Sequence, residues 1–187
     1  MENAEPPPTR EDGTAALVEA EASRTQLAGA LALPSFFYGA IGTAVAIQLA
    51  TTALSAADDR GWALGILLGG LALFALVATI QLVRFRRLNG VWLGGLASRV
   101  VLGTAAAASI SYVLALGASA WAAYNRMWWL VALCAMAGGA AYALSGRRWW
   151  RRYQGDPASH SRGESAGWIA ILGVLAAAGA VLLVLGR

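Results

Sequence analysis

The chain has 187 residues, of which 58% are hydrophobic and 13% charged, with a net charge of +4. That length suits one domain, but the apolar share exceeds what a soluble domain carries. The charges avoid several uncharged runs of about twenty residues, the length that spans a bilayer, which argues against a soluble bundle. The basic residues sit in short segments between these runs, so no soluble domain is left to dock on a nucleic acid.

The charge divides along the chain. From Met1 to Arg24, six acids (Glu2, Glu5, Glu11, Asp12, Glu19, Glu21) face Arg10 and Arg24, giving −4 and leaving +8 for the remainder. A basic remainder suits contact with anionic lipid headgroups. All 14 basic residues are arginine, and the single cysteine, Cys134, lies in an apolar run. A disulfide framework or thiolate metal site is therefore excluded.

Residues 1–13, with Pro6-Pro7-Pro8 and several acids, form a tail expected to be disordered. Its acidic start has no basic n-region before an apolar stretch, so no cleavable signal peptide is expected. Residues 14–33 read as a helix, with Leu17, Ala20, Leu27 and Leu31 near one face. It is either an interfacial helix leading into the membrane or a solvated one.

Residues 34–187 read as an all-α integral membrane bundle of five transmembrane helices. Pro34 suits the first turn of a helix, and the first span covers about residues 35–54. A polar turn over Ser55–Arg60 precedes the second, residues 61–83, with Trp62 placed as an interface anchor. Arg84, Arg86 and Arg87 stop it, and Asn89-Gly90 is a helix-terminating pair. Residues 91–98 are too short to span and either lie along the interface or form a re-entrant turn. A re-entrant backbone is tolerated at membrane depth only where it is buried or lines a cavity. The third span covers residues 100–123 and the fourth residues 127–145. The loop Arg147-Arg148-Trp149-Trp150-Arg151-Arg152-Tyr153 follows. Ser161-Arg162-Gly163-Glu164 has capping-box spacing and starts the fifth span, residues 167–186.

Orientation follows from counting arginines. With the N-terminus inside, the inner segments hold eleven and the outer side three (Arg60, Arg126, Arg187). That is a positive-inside pattern, and it places the C-terminus outside.

Residues that carry chemistry are sparse. No span has an acidic, basic or His residue at its middle, where such groups are costly and kept for function. His160, Asp156 and Glu164 share a loop but make no recognisable triad, because a triad is defined by geometry rather than nearness in sequence. One His and one Cys fall short of a metal-ligand set, and no cofactor motif is present. The polar residues Gln48, Thr51 and Thr52 of the first span and Thr104, Ser109, Ser111 and Tyr112 of the third either line a solute path or bond between helices.

Small residues recur four apart at Gly65 and Gly69, at Gly103 and Ala107, and at Ala135, Gly139 and Ala143. Such stripes mark close helix approach, within the chain or with another subunit. Arg84, Arg86, Arg87, Arg147, Arg148, Arg151 and Arg152, with Trp149 and Trp150, read either as an interface anchor or as a site whose guanidinium forks hold phosphate oxygens.

With its Ala/Gly/Leu-rich spans and Arg-Trp loops, the chain resembles the small multi-pass membrane proteins of actinobacteria. The resemblance implies placement in a bacterial plasma (inner) membrane and transfers no functional residue. Three functions fit these observations. The first is a non-enzymatic subunit or scaffold that assembles with another membrane protein or with its own copies. The others are a small permease or channel for a neutral or anionic solute, and a lipid-acting enzyme at the cytoplasmic face.

Overall fold

The computed structural model describes residues 10–57, 61–90 and 106–157. These form five helices and, among the described residues, no strand. They are α1 (Arg10–Ala30), α2 (Phe37–Ala56), α3 (Ala63–Asn89), α4 (Ala106–Tyr124) and α5 (Trp128–Gly155). Three of them, α2, α3 and α5, are long and apolar enough to cross a membrane. The described apolar part of α4, Ala108–Tyr124, is shorter. Residues 1–9 of the tail, the segment 91–98, Gly103, His160 and the expected span 167–186 lie outside the described residues.

The helix ends differ from the sequence reading in three places. Helix α1 starts at Arg10 rather than at Thr14. Pro34 stands before α2 rather than inside it. Phe37 N–H donates to Pro34 O at 3.2 Å, and Phe36 takes a left-handed backbone at φ 61°, which a bulky side chain seldom adopts. The segment expected as a loop after residue 145 continues α5 as far as Gly155. Gly146 does not break the helix there. It makes room for Tyr38, whose ring would lie 2.5 Å from a Cβ at that position. The arginines that follow are good helix formers.

The remaining ends follow ordinary capping. Gly90 closes α3 in the left-handed conformation at φ 66°, its N–H bonded to Arg86 O at 3.0 Å. At the α4–α5 turn, Arg126 N–H reaches Ala123 O and Met127 N–H reaches Ala122 O, both at 2.9 Å. This crossed pair commonly has glycine at the left-handed position; here Arg126 holds it at φ 57°.

Helix α2 is the centre of the bundle, packed against α3, α4 and α5, while α5 also packs against α4 and α1 touches α5 lightly. Phe37, Ile41, Val45 and Leu49 supply the buried face of α2. Helices α2 and α5 approach backbone to backbone at Gly42 and Gly139. A Cβ on Gly42 would sit 2.7 Å from Gly139 O and 2.8 Å from Ala143 Cβ. Gly138 faces the other way, toward Ala115 of α4 at 2.5 Å and Leu49 at 2.7 Å. Without a hydrophobic drive between helices in lipid, such close backbone approach supplies the attraction.

The two ends of the bundle differ in chemistry. Phe85 of α3 meets Trp150 of α5 edge-on, with ring centroids 6.2 Å apart, so the arginines flanking each residue gather at one end. The opposite end carries Trp62, Trp121, Tyr124, Trp128 and Trp129, all half or more exposed. At about 1.5 Å per residue, Trp62 and Arg84 lie about 33 Å apart along α3, close to the thickness of a bilayer's hydrocarbon core. Between them the outer surface is apolar, with Leu64, Leu68, Leu76, Ile80 and Val83 exposed on α3.

Candidate functional site

The arginine-rich end is the most organised polar region. The connector between α1 and α2 is held there by two side chains. Asn89 Oδ1 accepts from Ala32 N–H at 2.9 Å, while its Nδ2 donates to Ala32 O at 2.9 Å and to Phe85 O at 2.8 Å. Gln154 Nε2 donates to Leu31 O at 3.3 Å. The last turn of α3 and the last turn of α5 thus fix the residues leading to Phe36.

Trp149 and Trp150 are buried. Trp149 stacks on Tyr153 with centroids 5.4 Å apart, and Trp150 packs between Tyr153 at 5.8 Å and Phe85. They build the end of the bundle; the tryptophans placed to meet an interface are the exposed ones at the opposite end.

The arginines around them divide by direction. Arg147 and Arg151, one helical turn apart, line a cavity of roughly 600 Å³ whose other wall is Phe36, Tyr38 and Gly39. Arg148, Arg152, Arg84, Arg86 and Arg87 are exposed and do not line it. Among the described residues, Arg147 and Arg151 have no acidic partner. Phe36 and Gly39 also begin a second concavity of roughly 510 Å³, an apolar groove along α2 and α3 past Thr43, Ala44, Ile47, Leu73 and Val77.

A second polar region lies inside the bundle. Tyr112 O–H of α4 donates to Gln48 Oε1 of α2 at 2.8 Å, and Gln48 Nε2 donates to Thr52 Oγ1 at 3.2 Å. Thr51 and Thr52 hydroxyls bond the Gln48 carbonyl at 3.0 and 2.8 Å. Ser109 and Ser111 are half-buried on α4. Tyr142 of α5 is buried in the same core cluster that Tyr38 and Tyr112 pack against. Sequence reasoning passed over Tyr38, Gln81 and Ser119, each with a buried polar atom that has no partner among the described residues. An isolated polar residue in an apolar run was their one available signal.

Of the small-residue positions, Gly139 and Ala143 lie at the Gly42 crossing where α5 meets α2, and Ala135 is buried in the core. Gly65 and Gly69 do not lie at the α2–α3 contact. A Cβ on either would meet nothing within 4 Å, and it is Gly70 that abuts the Thr51 side chain. Among the described residues, no group of three or more His, Cys, Asp or Glu converges.

Comparison with protein-family models, with curated proteins and with solved structures finds no match. Fold and composition define the class: a helical protein with, among the described residues, three helices long and apolar enough to cross a membrane.

Proposed function

We propose that the chain is a five-span bacterial inner-membrane protein that serves as a non-enzymatic subunit or scaffold of a membrane complex. Its N-terminus is cytoplasmic and its C-terminus lies outside. The observation carrying the scaffold reading is a face of α3, which among the described helices packs mainly against α2. That face presents the Gly65/Gly69 pair, and among the described residues a Cβ on either meets nothing within 4 Å. Small residues four apart let helix backbones meet in lipid, and a pair that no described helix of the bundle uses fits a helix of another membrane protein or of a second copy. The threading is supported by the eleven-to-three arginine split and by the meeting of Phe85 and Trp150 between the two main arginine clusters.

Affinity purification of the tagged chain in mild detergent tests this reading. The parent should co-elute with a stoichiometric membrane partner or as a homo-oligomer. The double variant Gly65→Leu/Gly69→Leu should keep the parent's melting midpoint yet lose that association. A parent that elutes alone, or a variant that keeps its partner, contradicts the proposal.

A second reading, a small permease for a neutral or anionic solute, draws on the Gln48–Tyr112 contact inside the bundle. Both ends of the Gln48 amide are taken up within the bundle, which favours helix packing over a solute path. Solute uptake by proteoliposomes that Tyr112→Phe changes would reverse that order.

A further inference from the structure

The cavity at the arginine-rich end and the groove beside it share a boundary, and their chemistries differ. Arg147 and Arg151 both line the cavity, one turn apart on α5. No acidic side chain among the described residues neutralises them. The rest of the lining is largely apolar, and Phe36 and Gly39 line both the cavity and the groove between α2 and α3. That groove is lined by aliphatic side chains and Thr43, whose hydroxyl is occupied by Gly39 O at 2.9 Å. Phe36 stands at the junction, 88% exposed and held by its left-handed backbone. A charged pocket adjoining an apolar groove fits an amphiphile, with an anionic head and a hydrocarbon tail.

The geometry points to a specific site for one anionic glycerophospholipid, its phosphodiester held by Arg147 and Arg151 and one acyl chain lying in the groove between α2 and α3. Guanidinium forks suit phosphate because two parallel N–H donors meet two oxygens, which lysine cannot reproduce. The groove selects a lipid over a free phosphate, since the anion alone leaves that apolar surface uncovered. This site goes beyond the scaffold reading and stands without it.

A general basic surface would attract anionic lipid through all its arginines alike, so the test compares two pairs with the same charge change. Full-length protein in mild detergent is incubated with phosphatidylglycerol and phosphatidylcholine of identical acyl chains, and retained lipid is counted by native mass spectrometry. The parent should retain one phosphatidylglycerol in preference to phosphatidylcholine. Arg147→Gln/Arg151→Gln should weaken that retention by about tenfold or more, as expected for loss of charge-assisted hydrogen bonds. Arg148→Gln/Arg152→Gln should leave it within about twofold of the parent.

A Cβ at Gly39 meets nothing within 4 Å, so Gly39→Leu fills the junction without disturbing the core. It should weaken lipid retention while the melting midpoint stays at the parent value. Equal losses from the two arginine pairs would mean a diffuse basic surface and overturn the site. Glycerol phosphate or inorganic phosphate competing as well as the lipid, or full retention by Gly39→Leu, would overturn the lipid assignment.

Discussion

Helix crossing at Gly139 offers the sharpest test of the packing. An alanine there directs its methyl at Gly42 O and places it 2.8 Å from Ala46 Cβ and 3.2 Å from Ala46 N. Carbon atoms pack comfortably at roughly 3.5–4.0 Å, so α2 must move away from α5 by about 1 Å. Two of the three atoms met belong to the backbone, so no rotamer change relieves the clash. The buried face of α2, with Ile41, Val45 and Leu49, then loses contacts along the crossing. Overpacking of this kind costs about 1–3 kcal/mol, and a rigid backbone clash places Gly139→Ala at about 2–3 kcal/mol. For a chain of this size that corresponds to a fall of about 5–10 °C in the melting midpoint. The assay is thermal unfolding in mild detergent followed by tryptophan fluorescence, with Gly69→Ala as control. Open space at Gly69 keeps that control within about 0.5 kcal/mol of the parent. A Gly139→Ala protein that melts with the parent, or a control that falls instead, would refute the crossing.

Tyr112→Phe removes the donor to Gln48 Oε1 and should cost about 0.6–1.7 kcal/mol, the range of interhelical hydrogen bonds in membranes. The thermal midpoint reads it, and the loss should vanish when Gln48 is already Leu. Asn89→Ala removes two hydrogen bonds that join the α1–α2 connector to α3 and a third, to Phe85 O, within α3. Two of them are exposed and replaceable by water, so the expected loss is about 1–2 kcal/mol. It should be accompanied by faster amide exchange at Ala32; unchanged exchange would mean the connector is held otherwise.

Hydropathy placed α2 and α3 within a few residues, because long uncharged runs leave few alternatives to a membrane-length helix. The same uniformity hid which face packs. On helices apolar all round, Gly65, Gly69 and Gly70 look alike, yet Gly70 alone of the three abuts α2. The α2–α5 crossing joins Gly42 to a glycine far along the chain, and Gln48 meets Tyr112 across a sequence separation of 64. Both pairings depend on tertiary packing, which periodicity within one segment does not carry. Arg147–Tyr153 read as a loop because four arginines and three aromatics resemble a membrane boundary. In the fold the aromatics turn inward to close the bundle, and the helix continues through them. The cavity beside Arg147 and Arg151 is lined in part by Phe36 in a left-handed backbone, a conformation with no sequence signature at a non-glycine residue.

The central claim is the threading of the chain, five spans with the arginine-rich end in the cytoplasm. Enzymatic reporters active on only one side of the membrane, placed after Arg187 and inserted beside Asp156, measure it directly. The account predicts activity outside the cytoplasm for the fusion after Arg187 and cytoplasmic activity for the insertion at Asp156. The reverse pattern, or both reporters active on the same side, would contradict five spans with the arginine-rich end in the cytoplasm.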